Sequence, residues 1–193
     1  MTTDVDAEGC RPKRPVAGET WTLERIVADY IGRKRPRLAT FLRWYAGMTF
    51  AEALGNAAYA RTPRGTKHSH QRRLPHAASE RAHAALTRHE ADVGRCGTFG
   101  ELHATVERAI RGIDGIGALM VYDTALRLGA FLQLEPDLVY LHAGTRDGAA
   151  ALGVDRSRET VRAEELPAAL QALHPHEIED CLCIFKAQLK QLR

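Results

Sequence analysis

The sequence predicts an all-α protein, and three observations carry that expectation. Apolar residues recur at helical spacing from Trp21 to the end of the chain. Thr49-Phe-Ala-Glu52 and Thr98-Phe-Gly-Glu101 have the capping-box pattern, in which a Thr hydroxyl and a Glu carboxylate satisfy each other's backbone amides. No segment shows convincing strand alternation; Leu138-Val-Tyr-Leu141 is apolar but short and reads as an extended linker.

Taken in order, the first twenty residues combine Gly, Pro and charge without periodicity and read as a flexible tail. Apolar spacing then predicts helices over 23–33 and 36–46, and the Thr49 capping box opens one over 49–60. A helix over 77–92 follows, and the Thr98 box opens the next over 98–112. Gly115 and Gly117 break the pattern before a helix over 118–132, and further helices are expected over 144–152 and 163–173. Pro175 suits a first helical turn, where its missing amide costs nothing, and Glu177, Glu179 and Asp180 complement the start of a helix over 175–191. At 193 residues the chain can bury a real core. Residues 21–193 are expected to form a single helical domain, with room for two lobes and without internal repeats.

The segment Ile110-Arg-Gly-Ile-Asp-Gly-Ile-Gly-Ala-Leu-Met-Val-Tyr-Asp-Thr-Ala-Leu-Arg-Leu-Gly129 is the most informative in the chain. Two glycines one residue apart lie between helical stretches, and glycine reaches backbone angles closed to other residues. The chain can therefore turn tightly and present free amides at the start of the next helix, whose dipole adds partial positive charge there. That arrangement is a phosphate site needing no side chain, and it assigns Gly115, Ile116, Gly117, Ala118 and Leu119 to backbone contact. A dinucleotide-binding turn is not expected, because no third glycine follows at the required spacing and no strand clearly precedes.

The formal charge of +3 and pI near 8.8 are only mildly basic, so distribution matters more. From Arg61 to His76 the chain carries Arg61, Arg64, Lys67, Arg72 and Arg73 with His68, His70 and His76, and no acid. A second acid-free cluster holds Arg33, Lys34, Arg35, Arg37 and Arg43. Such clusters suit a polyanion or a solvated face. Aromatic residues are sparse at 6% and none alternates with the basic loop, so a stacking platform for single strands is not indicated. Trp21, Phe41, Trp44, Tyr45 and Phe50 read as core.

Cys10, Cys96, Cys181 and Cys183 do not form a spaced disulfide framework, and no signal peptide or long apolar stretch is visible. A cytoplasmic protein without membrane contact is the expectation. His174, His176, Asp180, Cys181 and Cys183 make a dense group of metal-ligand types, with His68 and His70 as additional candidates. Alternate helical residues point about 200° apart, so Cys181 and Cys183 would hardly chelate one ion, and the spacing departs from structural zinc patterns. Neither a metal nor a cofactor is expected.

With the hairpin at its centre, the order of the surrounding pieces resembles the helix-hairpin-helix DNA glycosylase superfamily, the group containing endonuclease III and the adenine glycosylases. The resemblance covers roughly residues 50–190. Val139-Tyr-Leu-His-Ala-Gly-Thr-Arg-Asp-Gly-Ala-Ala-Ala-Leu152 matches the family's apolar stretch and following helix. Leu166-Pro-Ala-Ala-Leu-Gln-Ala-Leu-His-Pro175 with the next helix is similar to its closing pair. Phe50-Ala-Glu-Ala-Leu-Gly-Asn-Ala-Ala58 resembles the helix beside the DNA wedge, with Asn56 near the position of its glutamine.

The resemblance implies a glycosylase-like fold and DNA-backbone binding, and its departures bear on activity. His142 stands where the family has its aspartate, and a neutral imidazole cannot supply that fixed charge. Leu119 stands where bifunctional members place the lysine that forms a Schiff base. Only Cys181-x-Cys183 stands where some members hold an iron–sulfur cluster. The expected function is therefore grip on the backbone of duplex or distorted DNA. One alternative is a divergent glycosylase or hydrolase that uses Asp147, Asp123 or His142 in place of the aspartate, with His142 able to serve as a general base. Another is a helical protein–protein module. Asp123 is also expected to pair with Arg127 four residues on.

Overall fold

The computed structural model describes residues 20–192, so the tail expected over 1–20, Cys10 included, lies outside the described residues except for Thr20. The helices run in order α1 (Leu23–Arg33), α2 (Arg35–Ala46), α3 (Phe50–Ala58), α4 (His76–Arg88) and α5 (Glu90–Gly94). They continue with α6 (Phe99–Ile110), α7 (Ala118–Leu132), α8 (Ala143–Ala150), α9 (Pro175–Ile184) and α10 (Lys186–Leu189). The protein is mostly helical, and both capping boxes form: Thr49 with Glu52 opens α3, and Thr98 with Glu101 opens α6.

Four stretches differ from the sequence expectation. The helix expected over 77–92 breaks at His89, whose backbone leaves helical angles and whose ring faces the Asp92 carboxylate at 3.2 Å. The helix expected over 163–173 is two 3-10 turns, Ala163–Glu165 and Ala168–Ala172. Pro167 between them lacks an N–H and holds Leu166 extended. The helix expected over 175–191 divides at the buried Phe185 into α9 and α10. Finally, the stretch read as a linker contributes β1 (Val139–Tyr140), which pairs antiparallel with β2 (Thr160–Val161), Val139 opposite Val161.

The described residues group into two compact units. Unit 1 comprises residues 38–136, and unit 2 comprises residues 20–37 and 137–192.

In unit 1, α3 packs on α4 and α7, and α6 packs on both α4 and α7. Ala53, Ala57 and Ala58 of α3 and Ala78, Ala82 and Ala85 of α4 are all buried, and such small side chains let the two helices approach closely. Leu102, Val106 and Ile110 of α6 and Met120, Val121, Ala125 and Leu128 of α7 supply the larger core groups. The last turn of α7 ends on Gln133 in the left-handed region at φ +59°. A Cβ on Gly129 would stand 2.5 Å from the Leu134 carbonyl oxygen, so this glycine is what lets the chain fold back there.

In unit 2, α8 lies along α9, and the pair covers a core of Ile26, Tyr30, Val139, Leu170, Ile178, Leu182 and Phe185. Two glycines four residues apart place one face of α8 against α9. A Cβ on Gly148 would collide with the Leu182 carbonyl, and one on Gly144 would stand 2.7 Å from the Cys183 Sγ. Beside this seam Glu177 accepts two hydrogen bonds from Arg35, each 2.7 Å long, and one from the His174 amide at 3.0 Å.

Candidate functional site

The segment joining α6 to α7 is built from inside out. Ile116 is buried and anchors the turn, while Gly115 and Gly117 on either side are exposed. The Arg111 guanidinium donates to the Ile116 carbonyl at 2.8 Å and closes the turn from the α6 side. The special backbone angle is at Gly115, with φ +88°; Gly117 is extended at φ −100°, ψ 178°, a conformation open to any residue. The strain of a substituted turn therefore belongs to Gly115 and not to Gly117.

Gly117 is the N-cap of α7 and places no side chain on the helix's first amides. A Cβ added there would meet nothing within 4 Å. Ala118 is exposed and Leu119 half-buried at the start of α7. Asp114 is an exposed acid on the same turn.

The basic loop is ordered by its own hydrogen bonds. Arg61 and Lys67 form an antiparallel bridge, the Thr62 amide donates to the Thr66 carbonyl at 2.9 Å, and Gly65 at φ +74° makes the tip. Arg61 and Arg64 are exposed, and the Arg61 guanidinium lies over the Tyr59 ring at 5.1 Å. Lys67 turns inward: its Nζ donates to the Leu74 carbonyl at 2.8 Å and to Ser79 Oγ at 3.3 Å, and burial lowers its pKa. Arg72 and Arg73 are exposed. The loop's end reaches the hairpin turn, since a Cβ on Gly115 would stand 3.5 Å from Leu74 and 3.6 Å from Pro75.

A polar cluster ties the same loop to α7. Gln71 is buried and donates from Nε2 to the Asp123 carboxylate, and Arg127 Nη2 donates to Gln71 Oε1 at 3.2 Å and to Asp123 Oδ2 at 3.4 Å. The pairing of Asp123 with Arg127 is the i, i+4 contact the sequence suggested. His68 packs beside this cluster, where burial, with Arg127 adding to it, pushes the imidazole down to about 4.

The other two catalytic candidates lie in unit 2. His142 is the N-cap residue of α8 and is buried, with Nε2 3.2 Å from Glu179 Oε1. Thr145 Oγ1 donates to the same oxygen at 2.6 Å. The carboxylate beside His142 is thus Glu179, which from sequence reads only as a complement to a helix start, and it is buried. Asp147 is paired with Arg156, whose hydrogen bond holds the carboxyl below the usual carboxylate range.

Among the metal-ligand types of unit 2, Cys181 is in the core, where burial raises its thiol pKa, and Cys183 is half-buried against Gly144. The rings of His174 and His176 stack 5.7 Å apart. In the second basic cluster Arg33 pairs with Asp29 at 3.0 Å and Arg35 with Glu177. No helix among the described residues is long and apolar enough to cross a membrane.

No family model, curated protein or solved structure matches this chain.

Proposed function

We propose that the protein grips the phosphate backbone of DNA through the turn from Gly115 to Leu119, with Arg61, Arg64, Arg72 and Arg73 holding flanking phosphates. One observation carries the reading: the exposed, uncapped start of α7 lies at the Gly115 turn on which the end of the basic loop packs through Leu74 and Pro75. Backbone amides at a helix start and arginines nearby are complementary to the same anion. The resemblance of the chain's pieces to the helix-hairpin-helix glycosylases points the same way. Lys67 is left out of the phosphate set, because its ammonium is occupied within the loop.

Standard glycosylase chemistry is not part of the proposal. Leu119 offers no amine for an imine, so borohydride should not trap the protein on DNA with an opened sugar. Asp123 is held by Gln71 and Arg127, Asp147 by Arg156, and His142 faces a buried glutamate. The pairing of both aspartates favours binding over hydrolysis. Base release abolished by Asp147→Asn alone would reverse that order.

The deciding experiment is the salt dependence of duplex-DNA affinity in the wild type and in the double variant Arg72→Gln, Arg73→Gln. Each lost phosphate contact flattens the log–log slope by about 0.9, so the double variant should lose about two units of slope for every sequence. An unchanged slope removes the loop from the interface. Absence of salt-dependent binding in the wild type removes the proposal.

A further inference from the structure

Unit 1 contains a second group of side chains that backbone contact leaves unused. His68, His70 and Asp123 each offer one ligand atom, and these atoms all lie within 4.8 Å of one another. His68 and His70 flank Ser69 at the start of the 3-10 turn Ser69–Gln71, and their ring centroids are 5.1 Å apart. Asp123 enters from α7, steadied by Gln71 and Arg127.

His68 supplies the second, independent observation. Its Nδ1 is buried without a hydrogen-bond partner among the described residues. A buried polar nitrogen normally finds a partner, and an imidazole lone pair is what a transition metal takes. Two imidazoles and one carboxylate form a donor set for borderline ions such as zinc, and three protein ligands leave a position for water. Ligands at tetrahedral zinc stand about 3.4 Å apart, a closure of at most about 1.4 Å from the present spacing. The Arg127 guanidinium faces the same carboxylate and is balanced by it, so the imidazoles carry most of the binding.

We propose that His68, His70 and Asp123 bind one divalent transition-metal ion of the zinc class, which pins the basic loop to α7. The proposal stands on the geometry of unit 1 and does not depend on nucleic-acid binding.

The test titrates the full chain with Co2+ and with Zn2+, following cobalt d–d absorption and the imidazole nitrogen resonances. One equivalent should bind and shift the His68 and His70 resonances together. His70→Ala should weaken binding by tenfold or more, whereas His174→Ala with His176→Ala should leave it unchanged. Wild-type affinity in His70→Ala overturns the proposal, as does a shift confined to other histidines or a sulfur-to-cobalt charge-transfer band. No binding at millimolar metal overturns it equally. Should His70→Ala fail to fold, the wild-type resonances decide the question alone.

Discussion

Gly144 and Gly148 in unit 2 and Gly117 in unit 1 do opposite work. In unit 2, Gly144 and Gly148 vanish into a helix seam, where a Cβ would strike Cys183 or the Leu182 carbonyl. In unit 1, Gly117 fronts open space and leaves the first amides of α7 without a side-chain cap. The pair omits side chains to close a gap, and Gly117 omits one to leave a gap. Polar residues near these two places differ in the same way. Unit 2 buries Glu179 with His142 and Thr145, while unit 1 exposes Arg61, Arg64, Arg72 and Arg73. An unusual residue marks an interface for another molecule only when its surroundings are left unfilled.

The contrast breaks first at Glu179. If the buried trio serves folding alone, Glu179→Ala deprives the Thr145 hydroxyl of its acceptor, removes the carboxylate beside His142, and should cost about 3 kcal/mol in urea unfolding. A small loss would mean that the trio is not an internal support and would return His142 to the catalytic candidates. Gly148→Ala comes next. The new methyl meets backbone and not a flexible tip, so about 1–3 kcal/mol should be lost as α8 is pushed from α9. A neutral result would mean the seam yields more easily than its contacts imply.

Gly115→Ala sharpens the comparison inside unit 1. Its φ of +88° disfavours any side chain, so about 1–2 kcal/mol should be lost, although only ordinary contacts with Leu74 and Pro75 await the methyl. Smaller still is the acid dependence of unit 2. Burial alone would raise the Glu177 pKa, but the Arg35 guanidinium and the His174 amide outweigh it and hold the carboxyl below its ordinary 4.5. A depressed folded pKa gives stability that is present above pH 4.5 and lost as pH falls through the lowered value. Arg35→Gln should flatten that acid limb, and an unchanged limb would show that the pair does not titrate with folding.

What the sequence disclosed was local. Thr49 with Glu52 and Thr98 with Glu101 set their helix starts through residues three apart, and the start of 118–132 follows from Gly117 before it. What it concealed was contact between distant segments. Glu179 finds His142 thirty-seven positions earlier in the chain. Asp123 joins His68 and His70 only because the 3-10 turn lies across α7. The pairing of Val139 with Val161 involves strands of two residues, too short for alternation to register. Pro167 was readable in principle as a breaker, yet apolar spacing on both sides of it imitated one helix. At Gly115 and Gly117 the sequence located the turn but not which glycine carries the special angle, which lies at Gly115.

The smallest expected effect is the most discriminating. Gly117 already has the extended backbone of an N-cap residue, and its added side chain would meet no neighbour within 4 Å. Gly117→Asp should therefore place a carboxylate on the amides of α7 and stabilise the fold by a few tenths of a kcal/mol, the ordinary gain of a capping side chain over glycine. The same carboxylate would occupy the place proposed for a phosphate and repel it. Stability and DNA affinity should move in opposite directions, which a merely structural turn would not produce. Unfolding curves and a salt-matched binding isotherm on one preparation read both quantities. A variant that is more stable and binds DNA as tightly as the wild type would show that the open start of α7 is only a helix end that no side chain caps.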